Sequence, residues 1–206
     1  MKPQTFPLTS WPDAAPRLVA VAAGRVPADV VIRQGTWVNV HTREILPGHD
    51  IAIAEGRFAA IAPDLSYTIG PDTEVIDANG RYMIPGLCDG HMHIESGMLT
   101  PAEFAAAVIP HGTTTMFHDP HEIANVLGLP GVRMMHDEAA LQPVSIFTQM
   151  PSCAPSAPGL ETTGYEIGPD DVEQAMTWPG IVGLGEMMNF PGVTAGSQQM
   201  LAEIAA

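Results

Sequence analysis

Basic residues are scarce in this chain. Its 206 residues include 8 lysines and arginines against 23 aspartates and glutamates, which gives a formal net charge of -15. Without a basic stripe, the surface cannot neutralise the phosphates of nucleic acids or the head groups of anionic membranes. We therefore expect neither nucleic acid nor a membrane as a partner, and a neutral or cationic small molecule suits the charge better.

Cysteines and long apolar runs are also few. Cys88 and Cys153 are the two cysteines, and their wide separation argues against a disulfide framework and favours reduced thiols. The first residues lack an apolar core of signal-peptide length, and no later run approaches the roughly 20 apolar residues of a membrane span. Together these absences predict a cytoplasmic protein.

Hydrophobic residues are plentiful, at 46% of the chain against 15% charged residues, which is typical of a globular protein and excludes an acidic disordered tail. Residues 1–27 are rich in proline and alanine and predict an irregular arm, with a short helix near Arg17 to Ala23. Residues 28–80 contain short β-prone runs separated by glycine, proline, asparagine and aspartate. This pattern predicts a small β-sandwich segment.

After Gly80, apolar strands alternate with amphipathic helices. MIPGLCDGHMHI, TTTMFHD, VSIFTQM and GIVGLGEMM each begin a strand-helix unit. Such repetition predicts a parallel α/β architecture. Because a closed eight-stranded barrel needs about 250 residues, residues 81–206 predict only the first four units of a truncated barrel. The predicted fold class is α/β, the first half of a (β/α)8 TIM-like barrel preceded by a small β-sandwich segment.

Two histidines, His91 and His93, lie near the end of the first strand of this region. They are two residues apart, so both imidazoles point to the same side of the strand. Such a pair forms half of a metal site, although a bare His-x-His is more often a surface feature. The bend at Pro85 and Gly86, a nearby Asp89 that can orient a ring, and the position where barrels build active sites favour metal binding.

A second cluster, His118, Asp119, His121 and Glu122, follows the next strand. One interpretation is a helix start, in which Asp119 is the N-cap, Pro120 takes the first helical position and Glu122 complements the helix dipole. Capping explains the two acids but neither histidine. The alternative is that these residues belong to an active site.

Glu186 follows the apolar, glycine-rich segment 180–185. A carboxylate at the end of a buried strand has to be paired, protonated or bound to a metal, because an isolated buried charge is too costly. Taken alone, Glu186 fits a satisfied structural acid equally well. Opposite a pair of histidines, however, it is a credible bridging ligand.

These residues carry a family resemblance that covers nearly all of residues 28–196. The stretch IPGLCDGHMHIE resembles the first-strand signature of the amidohydrolase superfamily, whose members often place a β-sandwich before the barrel. More narrowly, HIESGMLTPAEFAAAVIPHGTTT, DPHEIANVLG, MPSC and GLGEMMNFPGV are similar to blocks of the bacterial adenine deaminase family. The chain departs from that family at Gly97, where a second serine is expected, and in the diverged loop 156–167.

The resemblance implies hydrolysis of adenine to hypoxanthine and ammonia in purine salvage. It implies a binuclear centre of iron or manganese, with zinc also compatible, in which His91 and His93 hold one metal and Glu186 bridges to the other. Asp119, His121 and Glu122 are the candidates for catalytic acid-base work. Further ligands and a catalytic aspartate are expected on later strands, and a homo-oligomer is expected for the full-length protein.

Two other hypotheses stay open at this point. The chain resembles enzymes closely enough that a related amidohydrolase, acting on another cyclic amidine or amide, is compatible with the same histidine pair. A non-catalytic half-barrel is the other alternative, because an open parallel sheet leaves an unpaired edge and an apolar face that call for a partner.

Overall fold

The computed structural model describes residues 9–206, which divide into two compact units. The first unit ends at Pro85 and the second comprises Gly86–Ala206. The first eight residues of the predicted arm lie outside the described range. Within that range, no helix is both long and apolar enough to cross a bilayer.

The first unit is mainly β, and its described elements are α1 (Trp11–Ala22), β1 (Val30–Asn39), β2 (Glu44–Ala54), β3 (Arg57–Ala62), a short 3-10 segment (Ser66–Thr68), β4 (Glu74–Asp77) and β5 (Tyr82–Met83). The second unit alternates strands with helices. Its elements are β6 (Leu87–Met92), a 3-10 segment (Ile94–Gly97), α2 (Pro101–Val108), a 3-10 segment (Ile109–His111), β7 (Thr113–His118), α3 (His121–Leu127), α4 (Leu129–Ala139), β8 (Ser145–Met150), α5 (Pro169–Met176), β9 (Ile181–Leu184), α6 (Phe190–Thr194) and α7 (Gln198–Ala205).

Helix α1 is an integral part of the first unit. Ala14, Leu18 and Val21 recur at helical spacing, and all three are buried in one cluster with residues of β1 and β2. The helix spans more of the predicted arm than the short helix expected near Arg17 to Ala23. Pro12 lies in the first turn, where a missing N–H is tolerated, whereas Pro16 lies inside the helix, whose buried face compensates for the lost hydrogen bond.

The strands of the first unit form one mixed sheet in the order β3-β2-β1-β4, with β5 also paired to β1. Among the described residues, α1 covers a face of this sheet where the sequence led us to expect a β-sandwich. Strand β5 runs parallel to β1 through Thr36 and Trp37. This pairing places the boundary between the units after Pro85, whereas the sequence suggested residue 80.

The second unit contains the four predicted strand-helix repeats. Its strands pair in parallel in the sequential order β6-β7-β8-β9. Each of the first three strands is followed by a helical segment that returns the chain to the start of the next strand, as parallel pairing requires, and β9 is followed by α6 and α7. All four strands therefore end at the same edge of the sheet, and the segments that follow them lie side by side there.

The alternation of side chains along β7 determines which face of the sheet each of them occupies. Met116 and His118 are two residues apart, and both are fully buried, with Met116 in a cluster that also contains Ile94 and Met135. The side chain of His118 consequently belongs to the layer between the sheet and its helices. Asp119 lies beyond the strand and is free to turn towards the carboxyl-terminal edge.

Candidate metal centre

His91 in β6 and His93, the residue after the end of β6, face each other at this edge. The Nε2 atoms of His91 and His93 are 3.0 Å apart, and the rings meet edge to face at 84°. Two nitrogen lone pairs at this separation repel each other unless a proton or a cation lies between them. The geometry therefore matches half of a metal site better than a pair of independent surface histidines.

The orientation of His93 follows from the register of β6 and β7. The amide of Asp119 donates to the carbonyl of Met92 at 2.8 Å, and His93 Nδ1 donates to the carbonyl of Asp119 at 2.7 Å. With its proton on Nδ1, the ring presents the lone pair of Nε2, as a metal ligand must. Burial alone lowers the pKa of His93, but the nearby carboxylates of Glu122 and Asp119 outweigh it and the pKa is raised.

Glu186 completes the first group. Its Oε1 atom lies 3.1 Å from His93 Nε2 and 3.7 Å from His91 Nε2. One ligand atom from each of the three residues fits within 4.8 Å of the others. The first and last strands of the sheet thus contribute to one cluster, and residues that are far apart in sequence meet at its carboxyl-terminal edge.

Asp119, His121 and Glu186 form a second group of the same dimensions. Asp119 is fully buried, and its Oδ2 accepts the amide of Glu186 at 2.9 Å. Burial raises the pKa of Asp119, although this bond and the neighbouring histidines act in the opposite direction. His121 is 2% exposed, and its Nδ1 lies 3.9 Å from Asp119 Oδ1.

Two buried atoms of this second group point to a cation. Asp119 Oδ1 and His121 Nδ1 have no hydrogen-bond partner anywhere in residues 9–206. Buried polar atoms are rarely left in this state, because each costs about 1–3 kcal/mol when unpaired. An oxygen and an imidazole nitrogen are suitable ligands for a divalent transition metal, so the residues present fit such an ion.

Gly185 makes the contact between Asp119 and Glu186 possible. A Cβ atom at position 185 would collide with the carboxylate of Asp119. Strands β7 and β9 are separated by β8, so in a flat sheet they would lie roughly 10 Å apart. The direct bond from Glu186 to Asp119 therefore requires the sheet to curl at this edge.

Glu122 lies near the centre but outside both groups. Its carboxylate is half exposed, accepts the Ser96 hydroxyl at 2.5 Å and lies 3.4 Å from His93 Nδ1. The sequence signalled neither Ser96 nor its neighbour Glu95. Glu95 accepts the amides of Glu122 and Ile123 and so caps α3 from outside that helix.

The helix-start interpretation of this cluster is wrong in its choice of cap. Helix α3 begins at His121 with Pro120 at the N-cap position, and Asp119 precedes it. His118, the remaining member of the cluster, turns away from both groups, and its Nε2 lies 3.1 Å from Glu95 Oε2. Of the four clustered residues, only Asp119 and His121 join the Glu186 carboxylate.

Comparison with known proteins identifies the family to which this chain is similar. The family model described as Amidohydrolase family matches residues 82–205. The adenine deaminase of Ruegeria pomeroyi is 81% identical over 206 residues, which are 100% of this chain and 34% of that protein. The adenine deaminase of Moorella thermoacetica is 58% identical over 189 residues, which are 92% of this chain and 31% of that protein. The chain thus spans about a third of the length of the curated relatives it matches.

Among solved structures, a β-aspartyl dipeptidase from Fervidobacterium islandicum superimposes with a TM-score of 0.51 and 18% identity, over 77% of this chain and 40% of that one. At this level of identity the likeness concerns the fold alone. Together with the four parallel strand-helix repeats, it confirms the predicted α/β class with the first strands of a barrel.

Proposed function

The chain belongs to the amidohydrolase family, and from this membership we propose that the full-length protein deaminates adenine to hypoxanthine and ammonia with the help of divalent metal ions. The observation that carries the proposal is the pair of three-residue groups that share Glu186. The choice of adenine is supported by the relatives named adenine deaminase, to which the whole length of the chain is similar.

We assign the ligands by group. His91, His93 and Glu186 would hold one ion, and Asp119, His121 and Glu186 would hold the second, with Glu186 shared between them. In support, the tautomer of His93 leaves its Nε2 free, and buried atoms of Asp119 and His121 lack partners within the described part of the chain. Imidazole and carboxylate suit iron, manganese and zinc, and the proposal favours iron or manganese.

Two divalent ions bound here would lower the pKa of water, so that hydroxide is available near neutral pH. In the reaction the water oxygen bonds to the ring carbon that carries the amino group. The bond from that carbon to the exocyclic nitrogen then breaks. The amino group leaves as ammonia with one proton of the water, and the other proton of the water stays on the ring nitrogen beside the new carbonyl of hypoxanthine.

The residues of this chain divide the remaining work. The sequence made Asp119, His121 and Glu122 candidates for acid-base catalysis, but the first two fit the ligand role as well. Glu122 lies outside both groups and is half exposed, so it is the residue best placed to exchange protons with water. The Ser96 hydroxyl donates to one of its oxygens and holds the carboxylate beside His93.

The proposal is tested by purifying the full-length protein with manganese or ferrous iron and measuring ammonia release. We expect adenine to be the best substrate in a panel that also contains other aminopurines and hydantoin-like rings. A preference for one of those rings would contradict the choice of adenine, while release from none of them would contradict the hydrolase itself. A cytoplasmic location and assembly into homo-oligomers stay predictions from the sequence.

A further inference from the structure

Ser152 lies in the MPSC block, but the sequence assigned no role to this serine. It lies two residues beyond the end of β8, and its side chain is fully buried. The hydroxyl donates to the carbonyl of Glu186 at 2.6 Å. Since the amide of Glu186 is bound to Asp119, both polar groups of the Glu186 main chain are fixed by side chains from other strands.

The segment that contains Ser152 is also held by a hydrogen bond to helix α7. Glu203 in α7 is 1% exposed, and its Oε2 accepts the amide of Cys153 at 3.2 Å. The other oxygen of Glu203 accepts Gln199 Nε2 at 3.2 Å. Burying a carboxylate in this way is costly unless it is hydrogen-bonded, so the contact is a specific constraint on the loop.

A second contact runs from the same loop to the segment after Glu186. Cys153 Sγ accepts the amide of Asn189 at 3.4 Å, and it lies 3.9 Å from the carbonyl of Glu186. The Asn189 side chain in turn accepts the amide of Gly192 at the start of α6. The loop after β8 therefore holds the chain on both sides of the Glu186 side chain.

We propose that Ser152 is a positioning residue, which fixes the main chain of Glu186 so that its carboxylate reaches both ligand groups. This inference rests on the metal-dependent function proposed above. The side chain of Glu186 is partly exposed, and within residues 9–206 its carboxylate forms ion pairs with His91 and His93 and with no other residue. Without the hydroxyl, the carbonyl of residue 186 would lose its donor and the peptide could rotate, which would move the shared oxygen away from one group.

The experiment titrates metal-free, full-length protein with Mn²⁺ alone and follows binding by calorimetry and by the electron paramagnetic resonance spectrum. Ser152→Ala should bind Mn²⁺ about 10- to 100-fold more weakly, as is typical when a residue behind the ligands is lost. Its spectrum should lose the coupling between two neighbouring ions. Ser152→Thr keeps the hydroxyl and should bind within about threefold of the parent, which is small beside that loss.

Thr148→Val is the matched control. Thr148 lies in β8, four residues before Ser152, is also fully buried and also uses its hydroxyl in a hydrogen bond, to His136 Nδ1. We expect this variant to lower the urea midpoint of unfolding without altering Mn²⁺ binding or the spectrum.

The outcomes separate the inference from the function on which it rests. If Ser152→Ala unfolds more easily but binds Mn²⁺ like the parent, Ser152 is only structural and the inference is overturned. The same conclusion follows if the threonine variant binds as weakly as the alanine variant. If the parent protein itself binds no Mn²⁺, the proposed metal centre fails as well.

Discussion

Two buried aspartates, one in each unit, are used in different ways. Asp50 is 1% exposed, and its two oxygens accept the amides of Gln34 at 2.8 Å and Leu65 at 3.1 Å. Asp119 is fully buried too, but only its Oδ2 is bonded, to the amide of Glu186. A carboxylate with both oxygens satisfied stabilises a fold, whereas one with an open oxygen is available for a cation or a proton.

The same contrast extends over the two units. Among the described residues, the buried side-chain atoms without a hydrogen-bond partner are those of Arg33 in the first unit and of His118, Asp119, His121 and Gln149 in the second. Even Arg33 Nε lies 3.5 Å from Asp50. Unpaired buried groups thus concentrate in the unit with the candidate metal centre, as expected where ligands are held ready.

The largest effect is expected from Glu186→Gln, because both ligand groups share this carboxylate. The full-length variant should lose bound metal and at least about 100-fold in kcat/KM, the upper end of what residues behind the ligands cost. Metal analysis and ammonia release measure the two losses. Glu173→Gln, at an exposed position of α5, is the control and should change neither. If Glu186→Gln kept its full metal content, the proposal that both ligand groups share the Glu186 carboxylate would be wrong.

Asp119→Asn tests the open oxygen directly. We expect kcat/KM to fall by about 100-fold or more, because a negative ligand and proton acceptor is lost. The free energy of unfolding of the metal-free protein should not fall, since the amide can still accept the Glu186 N–H and a buried charge is removed. Urea unfolding together with steady-state kinetics checks both parts. A variant that is less stable but has normal kinetics would show that Asp119, like Asp50, only stabilises the fold.

Gly185→Ala should weaken metal binding by about 10- to 100-fold, the cost typical of disturbing the groups behind a ligand. The added methyl group would collide with the carboxylate of Asp119 and push it away from Glu186. Gly183→Ala offers a close control on the same strand, because a methyl group there meets open space. The affinity for Mn²⁺ is measured for both variants. Equal affinities would show that the close contact between residue 185 and the Asp119 carboxylate does not affect metal binding.

Asp50→Asn should have the opposite profile to Asp119→Asn. An amide can accept only one of the two N–H groups well, so we expect a loss of about 1–3 kcal/mol in the free energy of unfolding. Turnover of adenine should stay unchanged, because Asp50 lies in the first unit. The measurement is again urea unfolding with a parallel assay. A fall in kcat without a loss of stability would contradict the structural role.

The smallest effect concerns an ion pair on the surface of the first unit. The hydrogen bond from Arg17 lowers the pKa of Asp29, although burial acts slightly in the opposite direction. At pH values between the native and the unfolded pKa, Asp29 is therefore still ionised in the folded protein but already protonated in the unfolded chain. Its contribution to stability is therefore complete above the unfolded pKa and is lost as the pH falls through the native pKa.

Asp29→Asn should lower the free energy of unfolding at pH 7 by no more than about 0.5 kcal/mol, because the pair is substantially exposed and screened. In strongly acidic solution the variant and the parent should be equally stable. Urea unfolding at the two pH values gives the comparison. A difference that grows on acidification would contradict the sign of the shift.

Local patterns in the sequence carried much of the fold. The spacing of His91 and His93 was enough to predict that the two rings lie together, although His93 is one residue beyond the end of β6. Each parallel strand was visible as an apolar run before a helix. Helix α1 was underestimated because its prolines suggested an irregular segment. Its buried residues, Ala14, Leu18 and Val21, do have helical spacing, so the sequence contained the pattern of a longer helix, but the prolines obscured it.

The site was less accessible to such reasoning, because its contacts join distant segments. Asp119 and His121 stood out by composition, but their meeting with Glu186 depends on how the sheet curls. Ser152 lies in the quoted MPSC block, but nothing in the sequence indicated its role, since a single serine after a strand is common and its partner is 34 residues away. His118 was grouped with its neighbours by sequence, and only alternation along β7 separates it from them.

The reliance of both ligand groups on Glu186 also sets an order of events during synthesis. Ribosomes add about 5–20 residues per second, so Glu186 is made roughly 5–20 s after His93. In that interval the nascent chain carries the two imidazoles of the proposed metal centre without the carboxylate of Glu186, a combination that copper and nickel would bind more tightly than manganese or iron. For the proposed centre, the late synthesis of this oxygen ligand would make the choice of metal depend on timing, and a cell that keeps free copper and nickel scarce would protect the unfinished site.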